Sequence, residues 1–183
     1  DKFELEKEGE IRITNNKTGS KFASSVGGIG TGERGDRVVL DDPHSVQQSE
    51  SDVVRNATLR WFQETMSNRL NDINASAIVI IMQRVHQNDV SGMILLQNQH
   101  MNYCHLMIPM RYEEGRDEPD NQIGWIDPRV EDGELAWPER FPATAVDRIE
   151  LSMGTWATAA QHQHRPPPRG GGIIQLKHWQ PYS

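Results

Sequence analysis

Two adjacent carboxylates follow a short apolar run in the stretch RGDRVVLDDPHS, residues 34–45. Residues 37–40 predict a short buried strand, and Asp41 and Asp42 come at its carboxyl end. Open parallel sheets bind ligands at that end, where one carboxylate can hold Mg²⁺ and the other can polarise a water for attack on a phosphoryl group. The simpler alternative is that Asp42 and Pro43 only stop the strand and start a turn.

A second set of polar residues follows the apolar stretch AIVIIMQ at residues 77–83, which predicts another strand. Gln83 and Arg84 come at its tip, followed by His86 and Asp89. If the two strands are adjacent, these groups point into the same crevice and could contact the terminal phosphate of a ligand. The alternatives are that Arg84 pairs with an acid, that His86 stabilises a turn, and that Asp89 favours a helix N-terminus.

A glycine-rich segment, SSVGGIGTGERGD, leads into the acidic strand. The phosphate-binding pattern G-x-x-x-x-G-K-[ST] does not occur there or elsewhere in the sequence, and no helix follows that would suit G-x-G-x-x-G. Arg34 lies in this segment and could reach a phosphate on its own subunit or on a neighbouring one. An ordinary arginine in a turn explains the same position equally well.

The remaining sequence predicts alternating strands and helices. Short strands are expected at 10–14 and 21–26, helices at about 50–70 and 89–99, and a third apolar strand at 103–110. The order strand, helix, strand, helix, strand between 36 and 110 predicts two successive βαβ units in a parallel sheet. A further helix should begin at Pro142 and end before Gly154, followed by a short helix near 155–163. The segment RPPPRGGG, residues 165–172, has the composition of a linker.

Composition is typical of an ordinary folded protein of one domain, with 183 residues, 36% apolar and 25% charged. The net charge of −7 argues against a broadly basic surface for nucleic acid, so any such contact must be local. The longest apolar run is too short to span a membrane, and the single cysteine, Cys104, fits a reducing cytoplasm.

The ordered set of motifs resembles the large terminase subunit of tailed phages and prophages, the motor that packages DNA into capsids. The matching stretches are GTGERGDRVVLDDPHS, SNRLND, IVIIMQRVHQNDVSG, GELAWPERFP and AAQHQHRPPPRGGGIIQLKHW. The similarity extends over nearly the whole chain from about residue 10.

This resemblance implies an α/β fold of the P-loop NTPase-like, additional-strand catalytic-glutamate class, a three-layer sandwich with a parallel sheet that is incomplete here. Residues 1–163 would be the C-terminal portion of the ATPase domain, and 164–183 the linker and start of a nuclease domain. The phosphate-binding loop would lie N-terminal to these residues, its strand would pair beside 77–83, and this fragment alone should hydrolyse no ATP.

The resemblance also implies roles for individual residues and the identity of partners. Asp41 would be the Mg²⁺ ligand and Asp42 the catalytic acid that activates water, both serving bound ATP. Gln83, Arg84 and His86 would couple hydrolysis to movement on DNA, and Arg34 would act on the ATP of a neighbouring subunit. The implied partners are double-stranded DNA, the small terminase subunit, the portal protein of the procapsid and further copies in a homo-oligomeric ring, in the cytoplasm of an infected or lysogenic bacterium. The nuclease metal would belong to the domain that lies beyond this chain.

Two other classes of function remain open from the residues themselves. A stand-alone metal-dependent phosphoesterase could use a mixed set of carboxylates and histidines, namely Asp41, Asp42, His44, His86 and Asp89. A non-catalytic docking module could bind a partner through the linker and the tail that contains Trp179. His162 and His164 could be read as a metal pair, but their spacing, with no cysteine or acid nearby, favours histidines on a helix surface.

Overall fold

The computed structural model describes residues 4–9, 11–28, 32–116 and 121–168. The chain forms two compact units, the first made of Asp1–Pro43 and Asp52–Ile81 and the second of His44–Ser51 and Met82–Ser183. The predicted start of another domain at 164–183 falls mostly on residues 169–183, outside the described residues. No helix in the described ranges combines the length and the apolar character needed to cross a membrane.

A small antiparallel sheet opens the first unit, with strands β1 (Leu5–Glu8), β2 (Arg12–Asn15) and β3 (Ser20–Phe22) in the order β1-β2-β3. The turn between β2 and β3 is held by Asn15, whose side-chain Oδ1 accepts hydrogen bonds from the backbone N–H groups of Lys17 and Gly19. The sequence predicted this hairpin, although β3 ends before the expected position 26. It did not predict β1, because the stretch LEKE lacks apolar alternation.

The parallel pair β4 (Arg37–Asp41) and β5 (Ala77–Ile81) forms the second sheet of this unit. The strands pair in register without a bulge, so that Val39 lies opposite Val79 and Asp41 lies opposite Ile81. Their branched side chains suit an extended backbone. The connection contains helix α2 (Asp52–Glu64) and a 3₁₀ turn at Met66–Asn68. The first of the two predicted βαβ units is therefore confirmed.

Helices dominate the second unit, which contains α1 (Val46–Ser49), α3 (Val90–Met101) and α4 (Ala143–Ala157). Pro142 caps α4, and Gly154 interrupts it with a φ of +78°, a conformation that glycine adopts without a Cβ penalty. A π-helical turn, Thr158–His162, completes this region. The apolar core of the unit consists of Val90, Met93, Ile94, Leu135, Val146 and Ala160.

The predicted third strand at 103–110 is wrong, and the second βαβ unit is wrong with it. The segment makes no ladder with a parallel neighbour; instead Met110 N–H donates to the carbonyl of His162, and Ala136 N–H donates to the carbonyl of Met110. The buried guanidinium of Arg129 donates to the carbonyl oxygens of Pro109 and Glu134, at 2.9 and 3.2 Å. These contacts satisfy backbone groups of Pro109 and Met110, at the end of the segment, without a sheet.

The described residues thus form a mixed α/β structure with a three-stranded antiparallel sheet, a two-stranded parallel sheet and four helices, and they do not form a full sandwich.

Candidate functional site

The acidic end of β4 is fixed by backbone pairing with β5. Asp41 is the last residue of β4 and lies in register with Ile81, and Asp42 extends the pairing by donating its N–H to the carbonyl of Ile81 at 2.9 Å. Both aspartates are solvent-exposed. The carboxyl ends of the two parallel strands therefore meet at one edge, with the two carboxylates beside it.

Asp42 has an unusual backbone conformation, with a φ of +43°. Aspartate is one of the few residues other than glycine that enter this left-handed region, at a cost in free energy. The conformation turns the chain sharply after the strand while the N–H of Asp42 stays bonded to β5. As the alternative interpretation expected, the strand ends here, and the same geometry leaves both carboxylates accessible.

The donor set at this edge suits Mg²⁺. Mg²⁺ prefers hard oxygen ligands and is commonly bound by one or two carboxylates together with phosphates and water. Two exposed neighbouring carboxylates repel each other, and a cation between them would remove that repulsion. In the described ranges no group of three or more histidines, cysteines, aspartates or glutamates is arranged to hold a metal ion. The edge thus fits a metal that a phosphate ligand helps to hold.

Asp89 organises the segment after β5 in the second unit. Its side chain is fully buried. Both of its carboxylate oxygens accept hydrogen bonds from Arg84 Nε, at 2.9 and 3.0 Å. It also accepts hydrogen bonds from the backbone N–H groups of Val85, His86 and Gly92, the last at 2.7 Å. Because Gly92 is the third residue of α3, Asp89 is the N-cap of that helix.

The turn around Asp89 is closely packed. Gly92 is buried, and a Cβ at that position would lie 1.9 Å from the carbonyl oxygen of Gln87. The carbonyl of Gln87 also accepts a hydrogen bond from Arg84 Nη2 at 3.2 Å. Arg84 therefore forms the ion pair with an acid that the sequence allowed, and its coupling role stays a prediction.

Two buried histidines use a ring nitrogen to accept backbone hydrogen bonds. His44 Nε2 accepts the N–H of Val90 at 3.1 Å, and His86 Nδ1 accepts the N–H of Asn88 at 3.0 Å. Each nitrogen must be unprotonated to accept, and its lone pair is then not available to a metal. These bonds argue against a metal site built from histidines and carboxylates. In two of its five candidate residues, a ring nitrogen already accepts a backbone hydrogen bond.

The other predicted site residues lie in different surroundings. Gln83 is exposed, two residues beyond the end of β5. Arg34 is exposed in the first unit, and its Nη1 donates to the carbonyl of Leu70 at 3.2 Å. The glycine-rich segment that precedes it includes residues 29–31, which lie outside the described residues.

His162 and His164 are half-buried and hydrogen-bonded rather than exposed on a helix surface, so that prediction is wrong. His162 Nδ1 lies 3.2 Å from Glu150 Oε1, and His164 Nε2 lies 3.1 Å from the carbonyl oxygen of Ile108. Burial lowers the pKa of His164 and of His105, and the nearby positive charge of Arg84 lowers the pKa of His105 further. Both shifts favour the neutral form of the imidazole.

Sequence reasoning missed the buried ion pair between Asp127 and Arg129. Arg129 Nε and Nη2 donate to the two oxygens of Asp127, and these hydrogen bonds lower the pKa of that carboxyl. Arg129 then fixes the segment around Pro109, as described above. The signal for this ion pair in the sequence was the tripeptide DPR, in which Asp127 and Arg129 are two residues apart. An acidic surface loop can show the same spacing.

No family model matches this chain, and no curated protein shows significant similarity to it.

The first prediction concerns the buried pair in the second unit. Asp89→Asn should lower the free energy of unfolding by about 3–5 kcal/mol, because it leaves the charge of Arg84 buried without its partner. Chemical unfolding followed by circular dichroism measures this loss. Asp147→Asn is the control, since Asp147 is 66% exposed and Arg111 keeps its second partner, Glu150. The control should change stability by at most about 1 kcal/mol. Equal losses in both variants would contradict the role given to Asp89.

The second prediction concerns pH. The pKa values of His105 and His164 lie below their ordinary value of 6.5 in the folded chain, so the unfolded chain binds more protons as the pH falls. The stability that these two histidines contribute is therefore fully present above their ordinary pKa of 6.5 and is lost as the pH falls through their lower pKa values in the folded chain. His105→Gln together with His164→Gln should flatten this loss. An unchanged slope of unfolding free energy between pH 7.5 and 5 would contradict it.

Proposed function

We propose that this chain is part of the ATPase domain of a DNA-packaging motor similar to the large terminase subunit of tailed phages. The observation that carries the proposal is the parallel, in-register pairing of β4 and β5, with Asp41 and Asp42 at the shared carboxyl edge. Motors of this kind need an acidic strand end next to a strand that leads into a coupling segment. In this chain the acidic end of β4 lies beside β5, and the residues proposed for coupling follow β5.

The exposed apolar residues of the parallel sheet, as far as the structure describes it, support the same proposal. Among the described residues β5 pairs with β4 alone, and Val39 and Ile81 remain 57% exposed. Parallel sheets are normally covered on both faces, and an unpaired apolar edge invites another strand. In the proposed motor domain, the additional strand would be that of a phosphate-binding loop. The remainder of a three-layer sandwich would cover the faces of the sheet. The sequence has no such loop, so in the proposed motor the loop would have to come from elsewhere before ATP could be hydrolysed.

The two aspartates take different roles in the proposed site. Bound Mg²⁺ and ATP would supply the phosphoryl group and the charge that stabilises its transfer. Asp41, at the end of the strand, would hold the metal through its carboxylate. Asp42, which the left-handed turn sets apart from the strand, would accept a proton from the attacking water.

The proposal assigns Gln83, Arg84 and His86 to coupling between hydrolysis and movement on double-stranded DNA. The support for this assignment is their position in the chain, directly after β5. Arg34 is proposed to act on the ATP of a neighbouring subunit in a ring. The small terminase subunit and the portal protein of a procapsid are the further proposed partners, in the cytoplasm of a bacterial host.

The third prediction tests the catalytic role of Asp42. In the protein that carries these residues together with a phosphate-binding loop, Asp42→Asn should lower kcat for ATP hydrolysis by about 10²–10⁴-fold, the usual contribution of a general base. The KM for ATP should change little, because the carboxylate acts on water rather than on the nucleotide. Steady-state release of phosphate measures both constants.

The matched control for this prediction is Asp36→Asn. Asp36 is exposed in the same unit, and its carboxylate accepts a hydrogen bond from Asn71 at 3.0 Å. The control should keep the activity within about twofold, because an exposed hydrogen bond contributes little to stability. Unchanged turnover in Asp42→Asn would overturn the proposal. Hydrolysis of a phosphodiester with Mn²⁺ and no nucleotide would instead favour the phosphoesterase.

A further inference from the structure

A pocket of about 600 Å³ lies within the first unit, against β4. All five residues of β4 line it, whereas β5 contributes none of the described lining residues, so the pocket follows the edge of β4 that faces away from β5. The opposite wall comes from β3 and the segment after it, and α2 contributes Trp61. The volume is in the range of sites for small organic ligands.

Positive charge dominates this pocket, which we call the arginine pocket. Five of the residues that line it are basic (Arg12, Lys21, Arg34, Arg37 and Arg69) and two are acidic, Glu33 and Asp41. The protein as a whole carries a net charge of −7, so this local excess of positive charge runs against the composition. Concentrated positive charge in a concave surface attracts anions.

Most of this charge lacks a carboxylate partner. Arg12 pairs with Glu33 and lies over the ring of Phe22. Arg34 donates to the carbonyl of Leu70 and Arg37 to the carbonyl of Ala75, both neutral acceptors. In the described part of the chain neither of these two guanidinium groups forms an ion pair with a carboxylate. An anion in the pocket would meet charges that the protein itself does not neutralise.

Arg69 gives an independent sign of a missing acceptor. Its Nε is buried and has no hydrogen-bond partner among the described residues, although its backbone carbonyl is held by the N–H of Gly35 at 2.9 Å. A buried donor without an acceptor costs free energy, and most such donors in folded proteins are satisfied. Because this Nε has no accessible surface, the Arg69 side chain must move toward a ligand oxygen in the pocket before that oxygen can accept its hydrogen bond.

Part of the remaining wall is apolar, beside the polar residues Ser20, Ser24, Ser25 and Thr65. Trp61 and Met66 line the pocket, together with the strand residues Val38 and Leu40. The ligand should therefore combine a phosphate group with an apolar or aromatic body, since arginine suits phosphate and tryptophan suits a flat ring. Arg37 and Asp41 lie at the two ends of β4. The negative charge of Asp41 would direct the phosphate toward the end that carries Arg37.

We propose that the arginine pocket binds a nucleoside phosphate without Mg²⁺, at a site that adjoins the carboxylate edge of β4 and β5 and shares Asp41 with it. The juxtaposition of Arg34, Arg37 and Arg69 with Trp61 carries this proposal. It does not depend on the ATPase function, because it uses the first unit alone and needs neither the metal nor a neighbouring subunit.

The experiment titrates the 183-residue chain with ADP in EDTA at low salt and follows the five tryptophan indole signals by ¹⁵N NMR. ADP should shift the signal of Trp61, which Trp61→Phe identifies by its loss. Pyrophosphate should bind more weakly than ADP, and adenosine should not bind at millimolar concentration. Raising the salt should weaken ADP binding, because screening acts on the arginine charges.

Charge variants test the arginines directly. Arg34→Gln and Arg37→Gln should each weaken ADP binding by about tenfold, the effect of losing one charged hydrogen bond. Arg69→Lys, which keeps the charge but lacks the buried Nε donor, should also weaken it. Arg60→Gln is the matched control, since Arg60 is exposed on α2 beside Trp61 and does not line the pocket. Near-wild-type circular dichroism spectra show that each variant is folded.

Several results would overturn the proposal. The Trp61 signal could stay unmoved by ADP at millimolar concentration in the wild-type chain. Arg60→Gln could weaken binding as much as Arg34→Gln, which would show non-specific attraction. NOE contacts between the free edge of β4 and a further extended segment of chain would show that a strand fills the pocket instead. If Asp42→Asn had no effect on ATP hydrolysis, the proposed ATPase function would fail. A shift of the Trp61 signal by ADP would still support ligand binding in the arginine pocket.

Discussion

The in-register parallel pairing of β4 and β5 is the constraint on which the first unit depends. Five residue pairs, from Arg37 with Ala77 to Asp41 with Ile81, fix both strands without a bulge. A shift by one residue would move every side chain to the other face of the sheet. The same register determines that the acidic end of one strand lies beside the end of the other, and that the backbone of Asp42 can still reach Ile81. The proposed chemistry at this edge follows from the pairing.

A different interaction organises the second unit. Asp89 is an ion-pair partner, a helix cap and the acceptor for two further backbone groups at once, so its single carboxylate fixes the segment from Arg84 to Gly92. A buried charge is tolerated only where such partners surround it. The two histidines that cap backbone groups nearby, His44 and His86, belong to the same framework. Polar residues that look catalytic in the sequence can therefore be structural. A structural role is indicated where hydrogen bonds within the protein use the polar atoms of the side chain, as they do in Asp89.

The sequence predicted the elements that have a strong local signal. Short continuous apolar runs located β4 and β5, and Pro142 and Gly154 marked α4, because these patterns depend on nearby residues alone. The strand expected at 103–110 did not form, and at its end the backbone of Pro109 and Met110 bonds to His162, Ala136 and Arg129, which are distant in sequence. The position of Asp41 and Asp42 at a strand end was predictable from one apolar run. The arginine pocket was not, since it joins residues from 12 to 69 that carry no common motif.

The most direct test of the carboxylate edge uses Mn²⁺ as a paramagnetic substitute for Mg²⁺ in an NMR titration of the chain. The amide signals of Asp41, Asp42 and Ile81 should broaden first. Those of Arg37 and Ala77, about 13 Å away at the other end of the strands, should broaden much less. Asp41→Asn should abolish the selective effect. Broadening that is uniform along both strands, or that persists unchanged in Asp41→Asn, would contradict the account.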